Sequence, residues 1–409
     1  MKKFFVKPYK LFNRIQHYEW GTKNENAFIP QFLNIAIQKD VPYAELWIGT
    51  HPKAPSEIEI TGEKVALDEV ISKYTPECLG QYVIKKFNGK FPFLLKVLSA
   101  ANALSIQTHP NKLQAEKLHK LDPINYPDDN HKPEIAIALD SLIAVAGFRP
   151  VKEIQHNLNQ LPELNNFLSK ESNDKISSSR NIWDAEQNLS DLFSEIMMKG
   201  NDKDNLAKCL VPLYNRLKKK DSLSDEESEF INQYELFGLD VGLFSFFFFN
   251  IVKLKPGQAI FTDAGVPHAY IKGNIIECMA NSDNVVRAGL TNKFKDVKTL
   301  LEIIKYEFKQ YDIINSQQNI DEVKYKTKAE EFEINYYRKQ AGFNKKINNG
   351  DKPCIYLLIK GELEVNWYST ESIQKEIFFG GESFFIPAGL NNYEILVKQP
   401  AEYFVAAIP

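Results

Sequence analysis

Cysteine is scarce in this 409-residue chain. Cys78, Cys209, Cys278 and Cys354 stand far apart, which excludes a disulfide framework and a CxxC zinc site. Free thiols in a reducing cytoplasm are therefore expected. An excess of one charge is also missing. Lys and Arg total 50 and Asp and Glu 53, a net charge of −3, so no general attraction to nucleic acid is expected. Long apolar runs are missing as well. Lys2-Lys3 before Phe4-Phe5-Val6 resembles the start of a secretory signal, but Lys7 and Pro8 break it well short of an apolar core segment. The longest run, Val241–Val252, has 12 residues, too few for a bilayer, and reads as a doubly buried strand. No membrane partner is expected, and the expected state is a monomer. The remaining composition, 44% hydrophobic and 25% charged, is that of a globular protein. At roughly 150 residues per domain, the length suggests two or three domains.

Glycine is unevenly spread. Of 19 glycines, only Gly200 and Gly238 fall within 151–240. The same window carries helical spacing at Ile154, Leu158 and Leu161, at Leu189, Leu192, Phe193 and Ile196, and at Leu206, Leu210, Leu213 and Leu217. Ser224-Asp225-Glu226-Glu227 predicts a capping box that opens a helix through Phe230, Ile231 and Tyr234. The polar stretch Ser169–Arg180 reads as a loop. Residues 151–236 are expected to form an α-helical insertion within another fold.

That other fold reads as mainly β. Short strands are predicted at Phe93–Leu98, Glu134–Leu139, Phe244–Leu254, Ile355–Ile359, Glu362–Trp367 and Ser383–Ile386, with turn residues between them. This spacing suggests a sandwich or barrel, jelly rolls included. A weak internal repeat supports that reading. The segment Gly257 to His268 can be laid over Gly381 to Asn392, with Phe at +4 and Ala-Gly at +7 and +8 in both. The pattern resembles the second motif of the cupin family, GxxxxxPxGxxH. The later copy keeps Gly381, Pro387 and Gly389 but has Asn392 in place of His. The expectation is two cupin or jelly-roll units: a discontinuous catalytic unit of 1–150 with 237–315, and a metal-free C-terminal unit of 316–409.

Three segments can carry chemistry. In an extended Ser105-Ile-Gln107-Thr-His109 the amide and imidazole share a face, although such a pair also occurs in ordinary surface hydrogen bonding. In Asn130-His131-Lys132-Pro133-Glu134, proline favours extended geometry, so Lys132 and Glu134 share a face at the mouth of an apolar strand. A carboxylate there needs a cation, either Lys132 or a metal. His268 follows the turn Gly265-Val-Pro267, Glu277 interrupts an apolar strand, and Arg287 follows Val285-Val286. Buried Glu and Arg are costly unless they are paired or functional, and a Glu277–Arg287 ion pair would answer that cost. Together, Gln107, His109, Glu134 and His268 form a mixed nitrogen and oxygen set suited to zinc or a similar divalent ion.

The segments that hold these residues resemble the type I mannose-6-phosphate isomerases, a zinc-dependent cupin family. The similarity lies in Trp20-Gly21, in Ala44-Glu45-Leu46-Trp47 through Thr50-His51-Pro52, in Tyr126-x-Asp128-x-Asn130-His131-Lys132-Pro133-Glu134, and in His268 to Lys293. The last stretch departs from the family in having Asn292 where Pro is usual. The resemblance implies one zinc ion held by Gln107, His109, Glu134 and His268. It implies catalytic roles for Arg287, Glu277 and Lys132, and a substrate pocket lined by Trp20, Glu45, His51, Lys96, Ser105 and Lys293. The implied substrates are the sugar phosphates mannose 6-phosphate and fructose 6-phosphate, interconverted by proton transfer through a cis-enediol(ate). Two alternatives stand beside it: a metal-binding cupin of other chemistry, and a non-catalytic sugar-binding or regulatory cupin.

Overall fold

The computed structural model describes all residues except 1–3, 180–181, 309, 316–320 and 369–371, together with the side chains of 182 and 183. Lys2-Lys3, Arg180 and the expected start of a C-terminal unit at 316 thus lie outside the described residues. Two large antiparallel sheets, one of ten strands and one of eight, carry most of the described chain. The strand His268–Ala280 organises the first of them. Its C-terminal half lies between Phe93–Ala100 and Glu134–Ala138, and its N-terminal half pairs with Leu142–Phe148 and Ile106–Thr108. Gly273 makes that change of partner possible. Its φ is +134°, and a Cβ there would stand 2.6 Å from the Ser141 carbonyl oxygen.

The second sheet repeats the device. Cys354–Tyr368 and Asn392–Ala407 pair along almost their whole length, with register shifts around Gly361. Gly361 has φ of +90°, and a Cβ would meet the Pro400 carbonyl oxygen at 2.3 Å. The two strands expected at Ile355–Ile359 and Glu362–Trp367 are therefore one bent strand, because a glycine read as a break instead serves as a bend. Ile135, Ile137, Ile276 and Cys278 from the first sheet and Ile355, Leu357, Phe404 and Ala406 from the second pack into one apolar layer.

The described residues between 151 and 237 are mainly helical, from Val151–Gln160 to Asp225–Phe237; the predicted apolar positions from Ile154 to Leu217 and Phe230 are buried in one cluster, with Ile231 and Tyr234 packed against it. Two local expectations are corrected. Lys170–Ser177 is a helix, not a loop: Ser169 caps it by accepting from the Ser172 N–H, and Ser172 and Ile176 supply a thin buried stripe. The phenylalanine run is not one strand either. Val241–Phe244 is a 3-10 turn, Ser245–Phe248 is helical, and the strand begins at Phe249. Asp240 starts the turn by accepting from the backbone N–H groups of Gly242 and Leu290. A run buried on every side satisfies helix and strand alike, so apolarity does not choose between them.

The two copies of the repeat have the same local form, each a short strand, a turn and a long strand that begins at its twelfth residue, His268 or Asn392. Their side chains differ. His268 is buried, whereas Asn392 is exposed and its Oδ1 accepts from Asn348 Nδ2 at 2.9 Å. Tyr393 is the buried neighbour, with its hydroxyl 2.9 Å from that of Tyr356.

The predicted capping box at Ser224 forms with both of its hydrogen bonds. Ser224→Ala should destabilise the first turn of Asp225–Phe237 by about 1 kcal/mol. Amide hydrogen exchange should accelerate there about fivefold, with the strand amides unaffected.

Candidate functional site

Strand alternation decides which side chains enter the site. Leu95 and Val97 face the shared apolar layer, which turns Lys96 the other way. Ile135 and Ile137 face that layer too, which turns Glu134 and Ala136 inward, and Ile276 and Cys278 do the same for Glu277. Register then sets Glu277 opposite both Lys96 and Ala136, and Trp47 opposite Lys96. Gln107 is paired in register with both His268 and Arg287.

His109, Glu134 and His268 converge. His109 Nε2 lies 3.4 Å from Glu134 Oε2, and His268 Nε2 lies 2.8 Å from Glu134 Oε1. All three side chains are buried, and one candidate ligand atom from each lies within 4.8 Å of the others. Each ring's Nδ1 faces a backbone carbonyl, that of Asn284 at 2.8 Å for His109 and that of Val266 at 3.0 Å for His268. A carbonyl only accepts, so each Nδ1 carries the proton and each Nε2 turns a lone pair toward Glu134. Burial, reinforced by Lys132, pushes His109 down to about 4, so its ring is neutral at pH 7. Burial opposes ionisation of Glu134, but the Lys132 charge outweighs it and holds the carboxyl well below the usual carboxylate range. Lys132 Nζ is 3.5 Å from Glu134 Oε2, and the Tyr270 hydroxyl donates to Oε1 at 3.1 Å. His109 Nε2, His268 Nε2 and Glu134 Oε2 have no hydrogen-bond partner among the described residues. Lone pairs that face one another in a dry pocket are unfavourable unless a cation stands between them, so these residues fit a metal ion. Gln107 reaches the same strand pair through register, and Ser105 Oγ is 3.5 Å from its Oε1.

A second charged cluster lies on the neighbouring strands. Lys96 Nζ is 3.0 Å from Glu277 and 3.4 Å from Glu45, and Trp47 Nε1 also donates to Glu45. Burial opposes the Lys96 charge, but Glu277 and Glu45 raise its pKa above the ordinary lysine value. Burial, with repulsion from Glu134 and Glu45, raises the Glu277 carboxyl despite Lys96. The expected alternative of a Glu277–Arg287 ion pair does not form, because register gives Glu277 to Lys96. Arg287 has no ion-pair partner among the described residues, its Nε is buried without a hydrogen bond, and burial lowers its pKa.

The remaining pocket candidates sit around these clusters. His51 is buried, with Nε2 3.2 Å from Asp283, which Lys53 also meets at 2.8 Å. Trp20 stacks on Tyr18 at 5.8 Å and packs against the apolar cluster that includes Tyr270. Lys293 is exposed overall, with Nζ 5.6 Å from the Tyr18 ring, and partial desolvation together with Arg287 lowers its pKa. Sequence reasoning missed Tyr270, Trp47, Tyr18 and the Asp283–Lys53 pair. Alternation from His268 and from Glu45 points to the first two. The others lie on loops, where no periodicity marks a facing direction.

Removing the cation between Glu45 and Glu277 should be costly. Lys96→Met should destabilise the protein by about 3 kcal/mol at pH 8, as when a buried pair is broken. The deficit should shrink at pH 5, because burial already raises the Glu277 carboxyl and, without Lys96, its protonation relieves the uncompensated charge. Denaturant unfolding at the two pH values checks this, and an equal deficit at both would contradict it.

Comparison with known proteins agrees with the geometry. Residues 9–151 match the family described as phosphomannose isomerase type I, catalytic domain. The chain is 38% identical to mannose-6-phosphate isomerase of Saccharomyces cerevisiae, over 93% of this chain and 94% of the relative. It is 34% identical to mannose-6-phosphate isomerase 2 of Arabidopsis thaliana, over 92% and 88% respectively. A phosphomannose isomerase variant from Salmonella typhimurium superposes with a TM-score of 0.85 at 30% identity, covering 98% of this chain and 99% of that one. A zinc-bound mannose 6-phosphate isomerase superposes with a TM-score of 0.83 over the same shares, also at 30% identity. On sequence and architecture together, the chain belongs to the type I phosphomannose isomerase family.

Proposed function

We propose that this chain interconverts mannose 6-phosphate and fructose 6-phosphate by moving a proton between C2 and C1 through a cis-enediol(ate). The observation that carries the reading is the buried, unpartnered meeting of His109 Nε2, His268 Nε2 and Glu134 Oε2 in a member of this family. We assign zinc to this centre, one ion per chain, with Gln107 as the fourth ligand. When bound, zinc supplies Lewis acidity toward the hydroxyl and carbonyl oxygens of the sugar.

The chain's own residues then divide the remaining work. Arg287, a cation with no carboxylate partner among the described residues, stabilises the negative charge that develops on the enediolate oxygens. Glu277, whose burial favours its protonated form, moves protons between O1 and O2. Lys132 keeps Glu134 ionised as a ligand. Lys96 is already occupied by Glu45 and Glu277 and Arg287 by the enediolate, so we assign Lys293 to the phosphate. Trp20, Glu45, His51 and Ser105 line the sugar pocket.

The architecture supports a reading as two cupin units, 1–150 with 237–315 and 316–409, with 151–236 inserted. The exposed Asn392 agrees with a C-terminal unit that holds no metal. A chelator should abolish isomerase activity in an assay coupled to fructose 6-phosphate, and zinc should restore it. Full activity in rigorously metal-free protein would sink the proposal. Arg287→Ala should lower kcat by roughly 100-fold, with zinc near one per chain by elemental analysis. Asn392→Ala should leave zinc content unchanged.

A further inference from the structure

The carbonyl that orients His109 belongs to Asn284, in the irregular segment between the strands His268–Ala280 and Val286–Gly289. No strand ladder holds that carbonyl in place. Side-chain bonds do. Asn284 is fully buried, and its Nδ2 donates to the Asp128 carbonyl at 2.7 Å, to Asp128 Oδ1 at 3.1 Å and to the Asn130 carbonyl at 2.8 Å. Three acceptors around one nitrogen dictate the amide orientation, since the flipped amide would turn its oxygen toward all three. Asn284 Oδ1 is left buried without a partner among the described residues, a cost tolerated only where the other bonds demand it.

Asp128 anchors the rest of the segment. Its Oδ1 accepts from Ser282 Oγ at 2.7 Å and from the Asn130 N–H at 3.0 Å, and its Oδ2 accepts from the Asp283 N–H at 2.7 Å. Ser282 Oγ in turn accepts from the Asn284 N–H at 3.1 Å. Every group facing the Asp128 carboxylate is a donor. One carboxylate thus ties the loop that precedes Glu134 to the loop that carries Asn284.

We propose that Asp128 is a positioning residue of the metal centre: through Asn284 it fixes the Nδ1-protonated tautomer and the ring orientation of His109. The Nε2 lone pair is then set toward Glu134 before any ion arrives. The ligand role of His109 rests on the zinc reading above, whereas the tautomer link stands on the hydrogen bonds alone. Partners of this kind, once removed, typically cost 10- to 100-fold in metal affinity.

The test compares Asp128→Ala with the wild type in the full chain. Zinc affinity is measured by competition with a chelator of known affinity, and the His109 tautomer by NMR of the imidazole nitrogens in metal-free protein. The expected result is a fall in affinity of roughly 10- to 100-fold and loss of the single Nδ1-H tautomer. Asp128→Asn should give a partial loss, because its NH2 group must face a donor. Ser282→Ala removes one anchoring bond, should shift both readouts less in the same direction, and serves if Asp128→Ala does not fold. A lowered unfolding midpoint with unchanged affinity and tautomer would overturn the proposal and leave Asp128 a purely structural residue. Wild-type protein that takes up no zinc yet keeps a single His109 tautomer would count against the zinc assignment while supporting the link.

Discussion

The ionised carboxylate of Glu134, sealed from solvent, is the charge on which the site depends. A buried carboxylate without partners is strongly destabilising, so its surroundings must supply positive charge and donors. Lys132 comes from the same strand entry and the Tyr270 hydroxyl from the facing long strand, while the two imidazoles close the remaining side with lone pairs that call for a cation. Each partner lies on an element whose direction is dictated by burying apolar side chains elsewhere. The apolar layer at Ile135, Ile137, Ile276 and Cys278 thereby aims Glu134 and Glu277 inward.

The same logic sorts the other charges. Glu45 and Glu277 share Lys96, Glu134 has Lys132, and Arg287 is left without a carboxylate among the described residues. Ala136, opposite Glu277, contributes the smallest side chain with a Cβ where space beside the carboxylates is needed.

Much of this was legible in the chain. That Lys132 and Glu134 share a face followed from a proline-extended segment, and the helical window followed from its spacing and its lack of glycine. The capping box at Ser224 formed as its residue order required. Legibility failed where a local pattern had two solutions. The phenylalanine run suits helix or strand, and Asp240 at its start decides by bonding both Gly242 and the distant Leu290. The polar stretch after Ser169 hid a helix because only Ser172 and Ile176 face its core. Gly361 read as a break and is a bend, which depends on the close approach of Pro400.

By itself the sequence determined which residues have the chemistry for a metal and a proton transfer, the alternation that turns Lys96, Glu134 and Glu277 to one side, and the two long motifs that mark the family. Only the tertiary structure decided who partners whom. Glu277 belongs to Lys96 rather than Arg287, Asp283 joins His51 to Lys53, and Asp128 reaches Asn284 and, through it, His109. The reason is that periodicity is a property of one strand or helix. Register between strands and contact between loops are set by the packing of the whole sheet, and no spacing within a segment encodes them.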